Sequence, residues 1–420
     1  MVRRNQKQPF VNLRLKSILP KNPVILSSAS KPKQTLAIPS YPIPMQSATP
    51  DKRLFTPGPL NTSLSVKAAM QHDLGSRDGA FVQAVHEIRR ELLRFAGLEP
   101  DDVYECVLMQ GAGTFGVESV VSSSLRSDDK LLVLVNGAYG ERIVKMAQVH
   151  KINVMQYRNG EDEPFDDPEM LDRLLADNRE VTHVAVVHCE TTTGLLNPIE
   201  RLLPVIRGRY RTSIVDAMSS FGGIPLDVLA TRPDFVISSS NKCIEGVPGF
   251  SFILAHRDAL NSCCGQARSL SLDLYAQWAG LEADGQFRFT PPTHALLAFR
   301  QALRELEAEG GVAARHARYS QNHQVLLTGL QALGFKPYLR PEVMAPIITA
   351  WHYPQDEHFD FKAFYEALNA RGFVIYPGKL SQASCFRLGN IGQLQPADMQ
   401  TLVTAIDEVA QAQGWKPQTP

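Results

Sequence analysis

The sequence predicts an α/β protein built on a mostly parallel sheet, and three observations lead there. Apolar runs of strand length recur at residues 131–135, 183–188, 213–216, 234–238 and 250–255. Helix-length amphipathic segments separate them, the alternation expected of a parallel sheet with helices on both faces. Beyond residue 310 a shorter set of the same alternation follows, which predicts a second, smaller α/β unit. In such sheets ligands collect beyond the carboxyl ends of the strands.

Taken in order, residues 1–50 are rich in Pro, Ser, Lys and Gln and lack apolar periodicity, so they are expected to be disordered. They hold eight Lys/Arg and no acid, leaving 35 basic against 43 acidic residues beyond position 50. An acid-free basic stretch resembles an organelle transit peptide; a non-functional extension is the competing account. Residues 51–310 read as a large α/β domain closed by a connector helix at 292–309, with Leu296, Phe299, Leu303 and Leu306 on one stripe. Residues 311–420 read as the small domain, with helices near 312–333, 359–371 and 396–413 and strands near 346–352 and 384–388. Its last helix places Met399, Leu402, Val403, Ile406 and Val409 on one face. No internal repeat is visible.

A chain of 420 residues with 44% apolar and 20% charged residues has ample core for a soluble globular protein. The longest apolar stretches, such as Lys130–Val135, are too short to span a bilayer, and a cytoplasmic protein without membrane contact is expected. A formal net charge of zero argues against a nucleic-acid partner. The six cysteines form no CxxC pair, which suits reduced thiols and gives no metal site.

The chemistry sits at strand exits. Asp216 closes the run Ser213–Asp216, and Lys242 follows the run Asp234–Ser238, 26 residues later. A carboxylate and an amine placed this way suit a pyridoxal 5'-phosphate enzyme: the amine forms a Schiff base, and the carboxylate keeps the pyridine nitrogen protonated. Gln110-Gly111-Ala112-Gly113-Thr114 leads into a helical pattern, where free N–H groups and the helix dipole favour phosphate. It is neither a Walker A loop nor a GxGxxG loop. Asn136-Gly137-Ala138-Tyr139-Gly140-Glu141-Arg142 follows the strand at 131–135 and offers Tyr139 for stacking on a planar ring. His188-Cys189-Glu190-Thr191-Thr192-Thr193-Gly194 supplies hydroxyls and a carboxylate able to orient its neighbours. In the small domain, Arg387 within Cys385-Phe386-Arg387-Leu388-Gly389 presents a guanidinium fork suited to a carboxylate or phosphonate. Arg77, in Ser76-Arg77-Asp78, is a further candidate for the substrate mouth.

The order of these motifs, together with Thr56-Pro57-Gly58-Pro59 and Arg288-Phe289-Thr290-Pro291-Pro292-Thr293-His294, resembles the fold-type I aminotransferases of class V. The subgroup is that of the alanine–glyoxylate and serine–pyruvate enzymes, and the 2-aminoethylphosphonate–pyruvate branch is the most similar. The resemblance covers about residues 53–415. It implies that Lys242 is the Schiff-base lysine and proton carrier and that Asp216 pairs with the pyridine nitrogen. Tyr139 would stack on the ring, Thr191 would approach its phenolic oxygen, and Ala112, Gly113, Thr114 and Asn241 would complete the cofactor site. Thr290 would reach the phosphate of the neighbouring subunit's cofactor in a homodimer, and Arg387 would clamp the substrate's acidic group. Tyr139 stands where related enzymes carry Trp, and Asn241 where some carry Gln. The implied reaction moves the amino group of 2-aminoethylphosphonate to pyruvate, giving phosphonoacetaldehyde and L-alanine in phosphonate catabolism. Alanine or serine transamination with glyoxylate or pyruvate is the alternative, and a non-catalytic pyridoxal-phosphate-binding protein the remote one.

Overall fold

The computed structural model describes residues 51–99, 103–378, 380 and 383–417. The expected disorder of residues 1–50 lies outside them. Seven strands form the central sheet: β1 (Tyr104–Gln110), β2 (Lys130–Val135), β3 (Asn153–Arg158), β4 (His183–Val187), β5 (Thr212–Asp216), β6 (Phe235–Ser239) and β7 (Phe250–His256). Their spatial order is β1-β7-β6-β5-β4-β2-β3. Pairing is parallel from β3 through β6, while β7 runs antiparallel to both β6 and β1. The sheet is therefore mostly parallel, as the apolar runs predict. Strands β4 to β6 are almost wholly buried, so each Val or Ile they contribute gains roughly 1.5–3 kcal/mol from leaving water.

Helices cover the sheet: α1 (Gly79–Phe95), α2 (Gly113–Ser124), α3 (Ala138–Val149), α4 (Pro168–Asp177), α5 (Ile199–Gly208) and α6 (Leu274–Asp284). Asp78, Asp167 and Asp273 each cap the helix that follows, accepting from the N–H of Ala80, Met170 and Ala276. The connector helix α7 (Thr293–Glu309) buries Leu296, Phe299, Leu303 and Leu306, the stripe read from the sequence. Gly310 and Gly311, both at positive φ, turn the chain into α8 (Gly311–Ala332).

A second hydrophobic core lies beyond it. Strands β8 (Ile348–His352), β9 (Tyr376–Pro377) and β10 (Cys385–Gly389) pair antiparallel in the order β8-β10-β9. Helices α9 (Phe361–Ala370) and α10 (Pro396–Gln413) pack against them around Trp351, Phe364, Phe386, Met399, Leu402 and Ile406. The chain enters this second core at its own start: Arg53–Leu54 pairs in parallel with Phe373–Val374, and Phe55 is buried there. That early strand brings the Thr56–Pro59 turn beneath β10, where the Gly389 N–H donates to the Phe55 carbonyl at 3.0 Å. Among the described residues no helix is long and apolar enough to cross a membrane.

Candidate active site

Six strands end at the carboxyl edge of the central sheet, and the loops after β1, β2, β4, β5 and β6 carry the residues that gather there. The strand order reverses between β2 and β4, so the crevice expected of open α/β sheets opens at this edge. A small open cleft lies there, lined by Gly113, Thr114, Tyr139, Arg142, Asp216 and Met218 among others. A groove between α1 and α7 is larger, but it is walled by ion-paired Glu87, Arg300 and Arg304 and lies away from these loops.

Asp216 is the last residue of β5, level with Val187 and Ile237 on its neighbours. It is buried, its Oδ1 accepts from the Met218 N–H at 2.9 Å, and burial pushes its pKa up to about 6. Lys242 stands in the turn after β6. Its Nζ donates to the carbonyls of Pro57 at 2.8 Å and Gly58 at 3.4 Å. Burial lowers its pKa to about 8, against the opposing pull of Cys243 and Asp216. Gly58 fits only as glycine: its φ is +103°, and a Cβ would lie 2.8 Å from Lys242 Cδ and 2.7 Å from the Asn241 carbonyl. Asn241 is buried beside it and accepts from Ser239 Oγ at 3.1 Å.

Helix α2 begins at Gly113 with Ala112 extended before it and no side-chain cap, so its first N–H groups face the cleft mouth unshielded. Met218 packs where a Cβ of Gly113 would stand. Thr114 is exposed and accepts from Arg142 Nη1 at 3.2 Å; the same guanidinium lies 4.8 Å from the centre of the Tyr139 ring. The β2 exit is fixed by a buried amide pair in which Asn136 Nδ2 donates to Asn197 Oδ1 at 2.8 Å.

Arg387 projects from β10 of the second core to the same edge. Its Nη1 donates to the Thr191 carbonyl at 2.8 Å and its Nε to the Pro377 carbonyl at 3.1 Å. Its Nη2 is buried with no partner, and no carboxylate pairs with it among the described residues. An orphaned buried guanidinium edge costs the fold roughly 1–3 kcal/mol, a cost that a bound anion would offset. Thr290 lies exposed at the rim, its carbonyl held by Gln110 Nε2 at 2.8 Å. Arg77 is exposed just before α1, and its neighbour Asp78 is that helix's cap.

The structure thus gathers Lys242, Asp216, Asn241, Gly113, Thr114, Tyr139, Thr191 and Arg387 along one edge and leaves Thr290 and Arg77 on the surface. Two further residues belong to the edge: Arg142, to which the sequence gives no specific role, and Glu190, the carboxylate expected to orient its neighbours. Arg142 lines the cleft beside Tyr139, and its charge reaches both Asp216 and Lys242. Glu190 is buried against the start of α3. The three-residue step from Tyr139 to Arg142 on one helix face was the available signal for the first.

Residues 61–374 match the family model described as aminotransferase class-V. A 2-aminoethylphosphonate–pyruvate transaminase of Phocaeicola vulgatus is 52% identical over 359 residues, covering 85% of this chain and 98% of the relative. One from Aeromonas hydrophila is 49% identical over 375 residues, covering 89% and 98%. Among solved structures, the pyridoxamine–pyruvate aminotransferase of Mesorhizobium loti superposes with a TM-score of 0.80 at 24% identity, over 88% of this chain and 94% of that one. The alanine–glyoxylate aminotransferase of a Nostoc species gives 0.79 at 27% identity, over 86% and 96%. The fold is that of the fold-type I aminotransferases. With the family model matched over most of its length and relatives about half identical across nearly all of theirs, the chain belongs to the class-V aminotransferases.

Proposed function

We propose that this protein is a pyridoxal 5'-phosphate-dependent enzyme that transfers the amino group of 2-aminoethylphosphonate to pyruvate, releasing phosphonoacetaldehyde and L-alanine. The observation that carries the substrate is the 52% identity to a relative named for that reaction across 98% of the relative's length. The residues fit the coenzyme. An uncapped helix start at Gly113 and Thr114 offers N–H groups to a phosphate, Tyr139 offers a ring face, and Asp216 offers a buried anion. When bound, pyridoxal phosphate supplies an aldehyde that accepts amino groups and a ring that holds the electron pair left when a C–H bond breaks.

In this reading Lys242 would hold the coenzyme covalently and, once displaced by the substrate amine, would take the proton from the amino-bearing carbon of the donor and, in the second half-reaction, give one to the carbon of pyruvate that receives the amino group. A pKa near 8 suits that work, since a useful fraction of the amine is neutral near neutral pH. Asp216 keeps a proton on the coenzyme's ring nitrogen, and Thr191 directs its hydroxyl to the ring oxygen. Arg387 presents its unpaired Nη2 to the phosphonate of the donor and, in the second half-reaction, to the carboxylate of pyruvate. We further read residues 51–310 and 311–420 as the cofactor-binding and smaller domains of a cytoplasmic homodimer, with Thr290 serving the neighbouring subunit's phosphate. The exposed Thr290 rim and the two cores support that reading, with Phe55 reaching from the start of the larger domain into the second core.

An amino-donor screen with pyruvate as acceptor tests the assignment. Alanine should form from 2-aminoethylphosphonate by ping-pong kinetics, faster than from serine or with glyoxylate as acceptor. Lys242→Ala should remove the visible absorbance of the bound coenzyme together with turnover. No alanine from 2-aminoethylphosphonate overturns the substrate; a fully active Lys242→Ala overturns the choice of lysine.

A further inference from the structure

Glu190 has no part in the chemistry proposed above, yet it is fully buried at the edge of the site. Among the described residues no cation pairs with it. Its partners are instead the first N–H groups of α3. Oε1 accepts from Gly140 at 2.9 Å and Oε2 from Tyr139 at 3.3 Å, with Thr192 Oγ1 donating to Oε2 at 3.4 Å. Helix α3 has no cap of its own, because its N-cap position is Gly137. A Cβ at 137 would lie 2.5 Å from the Glu190 carboxylate, so this glycine serves close approach; its backbone is simply extended. The loop leaving β4 therefore reaches across to β2's exit and grips the first turn of α3.

Folding stability alone does not explain this choice. A Ser, Asp or Asn at 137 would cap the helix locally at the surface of the turn. Burying a carboxylate is more expensive, and burial with the Asp216 charge nearby pushes the Glu190 pKa up to about 7. What the buried carboxylate adds is constraint. Holding two successive N–H groups with its two oxygens fixes both the rotation and the axial position of a first turn that carries Tyr139 into the cleft.

We propose that Glu190 is a positioning residue for the coenzyme, holding the Tyr139 ring at its stacking angle through the end of α3. The proposal rests on the pyridoxal-phosphate reading above. It predicts that the effect of Glu190 on coenzyme affinity passes through Tyr139 and vanishes when that ring is absent.

Dissociation constants for pyridoxal phosphate, from absorbance titrations of the resolved full-length enzyme, test this in wild type, Glu190→Gln, Tyr139→Ala and the double variant. Glutamine offers one acceptor oxygen to two N–H groups, so one of them loses its partner. The expected result is an affinity loss of about tenfold for Glu190→Gln, and no further loss when it is added to Tyr139→Ala. Gly137→Ala displaces the carboxylate without altering its charge and should reproduce the loss; it decides the matter if Glu190→Gln folds poorly by circular dichroism. Wild-type affinity in both Glu190→Gln and Gly137→Ala, or losses that simply add in the double variant, overturns the inference and leaves the coenzyme reading intact. A wild-type chain that takes up no coenzyme overturns that reading first, and this one with it.

Discussion

Lys242 and Asp216 are both displaced from their ordinary protonation by burial, in directions that can be measured. The lysine is the nucleophile of coenzyme capture only when neutral, and its pKa is lowered to about 8. The rate of reconstitution with pyridoxal phosphate should therefore rise close to tenfold per pH unit below about 8 and level off above it. Stopped-flow absorbance over pH 6–10 checks this; a plateau beginning only near 10.5 would mean the amine is fully solvated. Asp216 has a folded-state pKa raised to about 6 against roughly 3.9 for a free carboxyl. The folded chain thus holds a proton that the unfolded chain has lost between about pH 4 and 6. That stability is complete below this window and gone above it. Asp216→Asn keeps the acceptor for the Met218 N–H and removes the buried charge. Its coenzyme-free form should be on the order of 1–3 kcal/mol more stable than wild type at pH 7.5, with the gain vanishing below pH 4 in denaturant titrations. A residue that weakens the empty fold in this way has its use in the loaded one. These two residues were legible in the sequence because each follows an apolar run whose end can be counted. Arg142 left only its three-residue step from Tyr139 as a signal, because a guanidinium whose partners are a hydroxyl and a ring leaves no charge pattern in the sequence.

At the scale of elements, the turn carrying Lys242 is held from behind by α8. Arg315 Nη1 donates to the Cys243 carbonyl at 2.6 Å, while Glu245 accepts from Tyr319 at 2.6 Å, Arg318 at 2.7 Å and Gln393 at 2.6 Å. Arg318 also reaches the Gly392 carbonyl at 2.7 Å, just past β10, so one buried network ties the lysine turn to the strand bearing Arg387. Glu245 adopts φ of 66°, an unfavourable conformation for glutamate that its partners impose. Glu245→Ala would leave Arg315 and Arg318 with only the partly exposed Glu309 as counter-charge. It should lower stability by roughly 3–5 kcal/mol in thermal or denaturant unfolding. The elements themselves were largely readable. The five apolar runs became β2, β4, β5, β6 and β7 within a residue or two, and α7, α8 and α10 follow their predicted spans. The missed strands have physical reasons. Residues Asn153–Arg158 form an edge strand that is only partly buried and carries Asn, Gln and Arg, and Tyr104–Gln110 at the other edge offers only the short apolar run Cys106–Met109. The pairing of β7 with β1 and that of Arg53–Leu54 with Phe373–Val374 are contacts distant in sequence, which local periodicity does not encode.

At the scale of the whole molecule, the cleft of one chain is rimmed by exposed apolar surface. Phe115 and Phe289 are about half exposed and Leu270 more so, and the first two adjoin Thr114 and Thr290 at the cleft rim. Gln110 holds the Thr290 backbone at the end of β1, but Thr290's hydroxyl has no hydrogen bond among the described residues. A hydroxyl left outward on a fixed backbone, beside exposed aromatic surface, is what a site shared between two copies requires. The proposed homodimer then makes a prediction that no single-chain site can imitate. Lys242→Ala and Thr290→Ala, each purified alone, should be inactive and weakened in coenzyme binding respectively. In a mixed dimer, the cleft with Lys242 intact belongs to the Thr290→Ala chain and receives Thr290 from the other chain. That cleft is whole, while its twin carries both lesions. Co-expressed, differently tagged chains isolated as the mixed dimer should recover close to half the wild-type activity per dimer, with one tightly bound coenzyme. If Thr290 instead serves its own chain, the intact lysine and the intact threonine sit in different clefts, and the mixed dimer is no better than Thr290→Ala. A chain that runs as a monomer at assay concentration with full activity would dismiss the shared site altogether.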